Sequence, residues 1–134
     1  MKKTITLCLA LLLGTSIYAL AEGGIECKED GTQMEMNKCA YDDFLRADRE
    51  LNHIYQALRR AKRENILYLR NLRKAQKAWL VYRDADLDAQ FSCEGGDLRS
   101  CFGSMYGLSL NSAKAELTNQ RIKILREQLE EANL

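Results

Sequence analysis

Ala40-Tyr41-Asp42-Asp43-Phe44-Leu45-Arg46-Ala47-Asp48-Arg49-Glu50-Leu51-Asn52-His53-Ile54-Tyr55-Gln56-Ala57-Leu58-Arg59-Arg60-Ala61 repeats an apolar residue at alternating steps of four and three: Ala40, Phe44, Ala47, Leu51, Ile54, Leu58 and Ala61. Those steps bring the side chains to one side of a 3.6-residue helix, as a narrow seam of the kind that packs on other helices. Upstream, Thr32-Gln33-Met34-Glu35 has the form of a capping box, with Thr32 at the N-cap and Glu35 reaching back to it. The chain has no proline, and no alternating β-branched run of useful length. From Thr32 onward the period is helical, so the fold class is all-α.

Downstream the same count continues through Asn65, Tyr68, Leu72, Ala75, Trp79 and Tyr82 without losing register. A single helix from Thr32 to Tyr82 would satisfy it, but helices beyond roughly 25 residues are unusual in small globular domains. Asn65 also breaks the seam with a residue suited to an N-cap, just after Lys62-Arg63-Glu64. A turn at 62–65 between two antiparallel helices is therefore expected, the second helix running from Ile66 to Gln90. Phe91 to Gly107 reads as a loop, since Gly95-Gly96, Gly103 and Gly107 break any period. A last helix from Ser109 to Glu131 would turn Leu110, Ala113, Leu117, Ile124 and Leu125 inward. The expected architecture is a small three-helix bundle, a helical hairpin plus a C-terminal helix.

The first residues read as a secretory signal peptide. Lys2 and Lys3 precede an apolar run from Ile5 to Leu13, and Ala19-Leu20-Ala21 is a small-x-small cleavage site. The run is too short to span a membrane. Cys8 lies inside it without a small-residue lipidation box, which argues against a lipid anchor. Cleavage after Ala21 leaves residues 22–134 as one domain. Loss of Lys2 and Lys3 takes the net charge from +1 to −1, a balance that suggests no general affinity for nucleic acid or membrane. The charges are unevenly placed, however. Bases crowd between Arg59 and Lys77, and acids collect at Glu22–Asp30 and from Asp84 to Asp97.

Cys27, Cys39, Cys93 and Cys101 remain after cleavage, an even number that reads as two disulfides in an exported chain. Three pairings are possible. The local one, Cys27–Cys39 with Cys93–Cys101, needs the least chain organisation and is preferred. A zinc site competes poorly, because no two of these cysteines stand two to four apart and the single histidine, His53, is remote.

Ala75 to Ala85 holds the only tryptophan and sets Gln76, Trp79 and Arg83 on one helix face. On the first helix Asn37, Asp48, Asn52 and Tyr55 project within one quadrant beside the seam. Asp48 is the expected carboxylate for Arg83, and the last helix can add Thr118 and Arg121. A buried arginine needs such partners, so these nine residues read as a structural polar network that fixes helix register.

Catalysis finds little support. His53 has no serine or free cysteine placed beside it as a nucleophile, and no cofactor is implied. Asp84-Ala85-Asp86-Leu87-Asp88 looks superficially like a calcium loop, but Ala89 stands where glycine is required and Gly95 where a glutamate is. No metal is expected.

Four ordered blocks carry a resemblance that spans nearly the whole chain after the signal segment. They are Thr32-Gln33-Met34-Glu35-Met36-Asn37-x-Cys39-Ala40; Ala47-Asp48-x-x-Leu51-Asn52-x-x-Tyr55-x-x-Leu58; Ala75-Gln76-x-Ala78-Trp79-Leu80-x-Tyr82-Arg83-Asp84-Ala85; and Leu117-Thr118-x-x-Arg121. Together they resemble the LprI-like lysozyme-inhibitor family of small exported bacterial helical domains. The resemblance implies a helix–turn–helix break near residue 64 and a protein partner. One departure stands out. The family commonly has a cysteine two residues after the Tyr-Arg-Asp-Ala block and another shortly before the Leu-Thr block, where this chain has Leu87 and about Ala113. Cys93 and Cys101 lie between them instead, so a clamp between helices is exchanged for a staple within the loop.

The expected function is that of a periplasmic or secreted protein that binds and blocks a lysozyme-type peptidoglycan hydrolase. Asp84, Asp86, Asp88, Glu94 and Asp97, on and beside the stapled loop, are the candidate partner-binding residues, because acids there suit a basic hydrolase. The alternative is a non-inhibitory periplasmic binding module, in envelope assembly or as immunity against a toxin.

Overall fold

The structure, a computed structural model, describes residues 24–133, so the signal peptide expected at residues 1–21 lies outside the described residues. It contains α1 (Gln33–Ala61), α2 (Ile66–Gln90), a five-residue α3 (Leu98–Phe102), a 3₁₀ turn (Gly103–Met105) and α4 (Tyr106–Ala132). Among the described residues there is no strand. The all-α bundle with two disulfides is thus observed, with the bridges Cys27–Cys39 and Cys93–Cys101.

Local chemistry sets the helix ends. At the start of α1 the Glu35 amide donates to Thr32 Oγ1 at 3.4 Å, and the Thr32 amide donates to Glu35 Oε2 at 2.8 Å, so two otherwise orphaned donors are satisfied. Lys62 closes α1, and Asn65 opens α2 by accepting from the Tyr68 amide at 2.9 Å. The segment expected as loop is partly helical: α3 and the 3₁₀ turn occupy its second half, and α4 begins at Tyr106 rather than Ser109.

Three cross-helix contacts give the directions of α1 and α4. Asn37 Nδ2 donates to the Ser104 carbonyl at 3.4 Å, Lys114 Nζ lies 4.9 Å from the Phe44 ring centroid, and Arg126 pairs with Glu50 at 2.9 Å. Positions rise together along both helices, so α1 and α4 run parallel. Tyr68 meets Gln128 and Gln76 meets Arg121, so α2 runs antiparallel to both. The closest pair is α1 with α4, not the sequential hairpin of α1 with α2; α2 packs on α4 more widely. Gly107 permits the close approach, since a Cβ there would stand 3.2 Å from Asn37 Nδ2.

The core cluster is Ala47, Leu51, Ile54, Leu58, Leu72, Ile122 and Leu125, with Leu58 and Leu125 fully buried. The α1 seam is the one expected, although Phe44 is half-buried and Ala61 exposed. On α4 the buried stripe is Ala115, Thr118, Ile122 and Leu125. Leu110, Ala113 and Leu117 are only half-buried, and Ile124 is 46% exposed. Parallel packing against α1 turns that stripe inward, with the small Ala115 and Thr118 at its start, and leaves Ile124 to solvent. Leu87 near the end of α2 is buried as well.

Candidate functional site

The polar junction resolves into local pieces. Arg83 is buried, and its Nε and Nη2 donate to Asp84 Oδ1 at 2.8 and 2.7 Å. Its guanidinium lies 5.3 Å from the Trp79 ring centroid. Asp48 does not reach it; the Asp48 carboxylate instead accepts from Asn52 Nδ2 at 3.2 Å, one turn along the same helix. The reason is the helix pairing, because α1 is seated on α4. Gln76 Oε1 accepts from Arg121 Nε at 3.1 Å, and partial burial lowers the Arg121 pKa. Thr118 is fully buried and donates to the Lys114 carbonyl at 2.7 Å, while Tyr55 lies beneath Arg59. Two bonds are exceptions: Arg121 to Gln76 joins α4 to α2, and Asn37 reaches across to Ser104.

Both disulfides lie at one end of the bundle. Cys27–Cys39 fastens the N-terminal arm to the second turn of α1. Cys93–Cys101 closes the segment between α2 and α4, which Asn37 touches through Ser104. Three aromatic rings hold that segment to the start of α4. Phe91, Phe102 and Tyr106 have centroid separations of 5.5, 5.9 and 5.8 Å. The sequence reading missed this trio; the signal was available, since its members bracket the two cysteines. Gly103, at φ +60 and ψ −149, lets the chain pass from α3 into the 3₁₀ turn, a conformation that a Cβ would strain.

Asp97 caps α3. Its carboxylate accepts from the Ser100 hydroxyl and from the Arg99 amide, and those bonds, the hydroxyl's first, lower its pKa. Asp84 is engaged by Arg83, and half-buried Asp86 accepts from Gln90 at 3.0 Å. Asp88 and Glu94 are exposed, and among the described residues no cation lies within salt-bridge distance of either. Of the five candidate acids, these two are free to meet a partner without breaking an internal bond.

Between the first turns of α1 and the stapled segment lies an open cleft of about 740 Å³, lined by Gln33, Met34, Asn37, Leu98, Arg99 and Tyr106 among others. Met34 is 60% exposed at its edge. A cleft with mostly apolar walls and a few polar groups suits an inserted side chain or loop of a protein partner. Among the described residues no cluster of three or more His, Cys, Asp or Glu side chains is arranged to hold a metal, and no helix is long and apolar enough to cross a membrane.

Comparison with known proteins gives one family, described as lysozyme inhibitor LprI, whose sequence model matches residues 26–125. A protein of Rhizobium meliloti (strain 1021), described only as uncharacterized, is 34% identical over 118 residues, covering 80% of this chain and 81% of that protein. No solved structure matches the chain.

Proposed function

Since the chain belongs to the LprI lysozyme-inhibitor family, we propose that it is an exported inhibitor whose disulfide-stapled end binds a lysozyme-type peptidoglycan hydrolase. The family match is the observation that carries this reading. Two disulfides support export, because such bonds persist in oxidising compartments; the compartment proposed is the periplasm or the extracellular space. The action is binding, not catalysis.

At the stapled end, Asp88 and Glu94 offer uncommitted negative charge to a basic hydrolase, and the cleft beside Met34 and Leu98 offers apolar area. Charge of this kind chiefly raises the association rate and weakens with salt. The Cys93–Cys101 bridge and the capped α3 hold the segment in one shape before binding, which lowers the entropic cost of docking.

The test is turnover of a peptidoglycan suspension by several lysozymes, with and without the purified protein lacking residues 1–21. Inhibition that weakens as salt rises is expected. No inhibition by micromolar excess across lysozyme types would sink the reading. Inhibition by Asp88→Asn/Glu94→Gln as strong as the parent's would remove the acidic contact while leaving the inhibitor.

A further inference from the structure

The crowded bases between Arg59 and Lys77 play no part in the stapled end. Arg59, Arg60, Lys62 and Arg63 occupy the end of α1 and the turn, where only Arg63 has a carboxylate nearby, Glu64 at 3.7 Å. Arg70, Arg73, Lys74 and Lys77 follow on α2, all exposed and, among the described residues, all outside salt-bridge distance of an acid. Glu64 is the only acid between Arg59 and Lys77. The near-zero net charge averages this cluster away.

At its tip stand two large apolar side chains in water. Ile66 is 73% exposed and Leu67 57%. At about 100° per residue, Ile66, Leu67, Arg70, Arg73, Lys74 and Lys77 share roughly one third of the α2 surface. Tyr68, Leu72 and Gln76 occupy the other side, where Tyr68 and Gln76 bond α4 and Leu72 enters the core. The carboxylates of Glu127, Glu130 and Glu131 belong to α4, on that other side; Glu131 acts on Tyr68.

We propose that the α1–α2 tip is a peripheral docking surface for an anionic phospholipid bilayer. A soluble polyanion would pair with the cations and leave Ile66 and Leu67 in water. A bilayer interface takes both: the two apolar side chains enter the headgroup–acyl boundary, and the long basic side chains extend to the phosphates. Asp84 and Asp88 continue the same face further along α2 and are repelled by an anionic surface. Contact is therefore confined to the first half of α2. The stapled end lies at the far end of α2, about 37 Å away for 25 residues, and stays free to meet a partner.

The experiment is co-sedimentation of the protein lacking residues 1–21 with large vesicles of pure phosphatidylcholine or of phosphatidylcholine with phosphatidylglycerol, at low and physiological salt. Binding to the phosphatidylglycerol vesicles only, weakening with salt, is expected. Arg70→Gln/Arg73→Gln/Lys74→Gln should lose about a hundredfold in partitioning with unchanged circular dichroism, since all three side chains are exposed. Ile66→Ser/Leu67→Ser should bind several-fold more weakly. Equal or absent binding to both vesicle types overturns the proposal, as does a charge variant that binds like the parent. An Ile66→Ser/Leu67→Ser variant that binds like the parent, or binding to a soluble polyanion such as heparin without binding to vesicles, overturns it too. None of these readings depends on lysozyme inhibition.

Discussion

The Arg83 guanidinium is held between the Trp79 ring, 5.3 Å from its centroid, and the carboxylate of Asp84, its neighbour in the chain. The Arg83 side chain is 10% exposed and that of Asp84 59%. A buried cation thus depends on a carboxylate that is itself largely in water. Removing the carboxylate leaves an uncompensated buried charge, whereas removing the cation leaves a solvated acid. Asp84→Asn should therefore destabilise by about 1–2 kcal/mol, far more than is usual for an exposed carboxylate. Asp48→Asn should change stability by less than about 0.5 kcal/mol. Urea denaturation of both variants at one pH decides it, and the reverse order would restore Asp48 as the arginine's partner.

Thr118 is fully buried, yet its hydroxyl is satisfied by the Lys114 carbonyl of its own helix. Among the described residues, that bond is the one side-chain hydrogen bond in which Thr118 takes part. Thr118→Val should thus cost less than about 1 kcal/mol. Leu58→Ala and Leu125→Ala, at the fully buried centre, should each cost about 2–5 kcal/mol. Thermal melts of the three variants provide the comparison. A Thr118→Val loss as large as the leucine losses would mean that the hydroxyl holds helices together.

What could be read from the residues divides along physical lines. Thr32 with Glu35, and Asn65 with the Tyr68 amide, act within one turn, so the start of α1 and the whole span of α2 were legible. Cys93 and Cys101 are close enough in sequence for their pairing to be expected. The partner of the Ala40–Leu58 seam was not legible, because a seam reports that a face is apolar and not which helix covers it. Ala115 and Thr118 look less like core than Leu117 and Ile124 do, yet the parallel approach of α1 and α4 selects the smaller pair. α3 was hidden because five residues are too few to show a period; its signature was the cap, Asp97 two residues before the Arg99 amide. The acids Asp84 and Asp97 resembled free partner-binding charge only until their internal donors were known.

The Cys93–Cys101 bridge closes a short loop outside the core cluster. In the chain-entropy picture a loop of this size contributes roughly 2.5–3 kcal/mol, but here its reach is local, because Phe91, Phe102 and Tyr106 join it to one end only. Cys93→Ser/Cys101→Ser should speed amide exchange through residues 92–105 by at least tenfold while the amides of Leu58 and Leu125 keep most of their protection. Hydrogen exchange by mass spectrometry distinguishes this from global loosening. Uniform acceleration through α1 and α4 would show the staple to be part of the core's cooperative unit.

Acid should loosen the stapled end before the core. The Asp97 pKa is lowered by the Ser100 hydroxyl and the Arg99 amide, and the Glu35 pKa by the backbone and hydroxyl of Thr32 and by Lys28. A carboxylate with a depressed folded pKa binds protons more tightly unfolded, so its contribution is complete above the unfolded value near about 4. That contribution is lost as pH falls through the lower folded value. The Arg99 and Ser100 amides, and those of the first turn of α1, should therefore lose protection below about pH 4, while core amides persist. Asp97→Asn keeps a competent N-cap without a titrating proton, and should flatten the pH dependence at Arg99 while leaving that at Glu35 intact. An Arg99 amide equally sensitive to acid in that variant would assign the transition to another group.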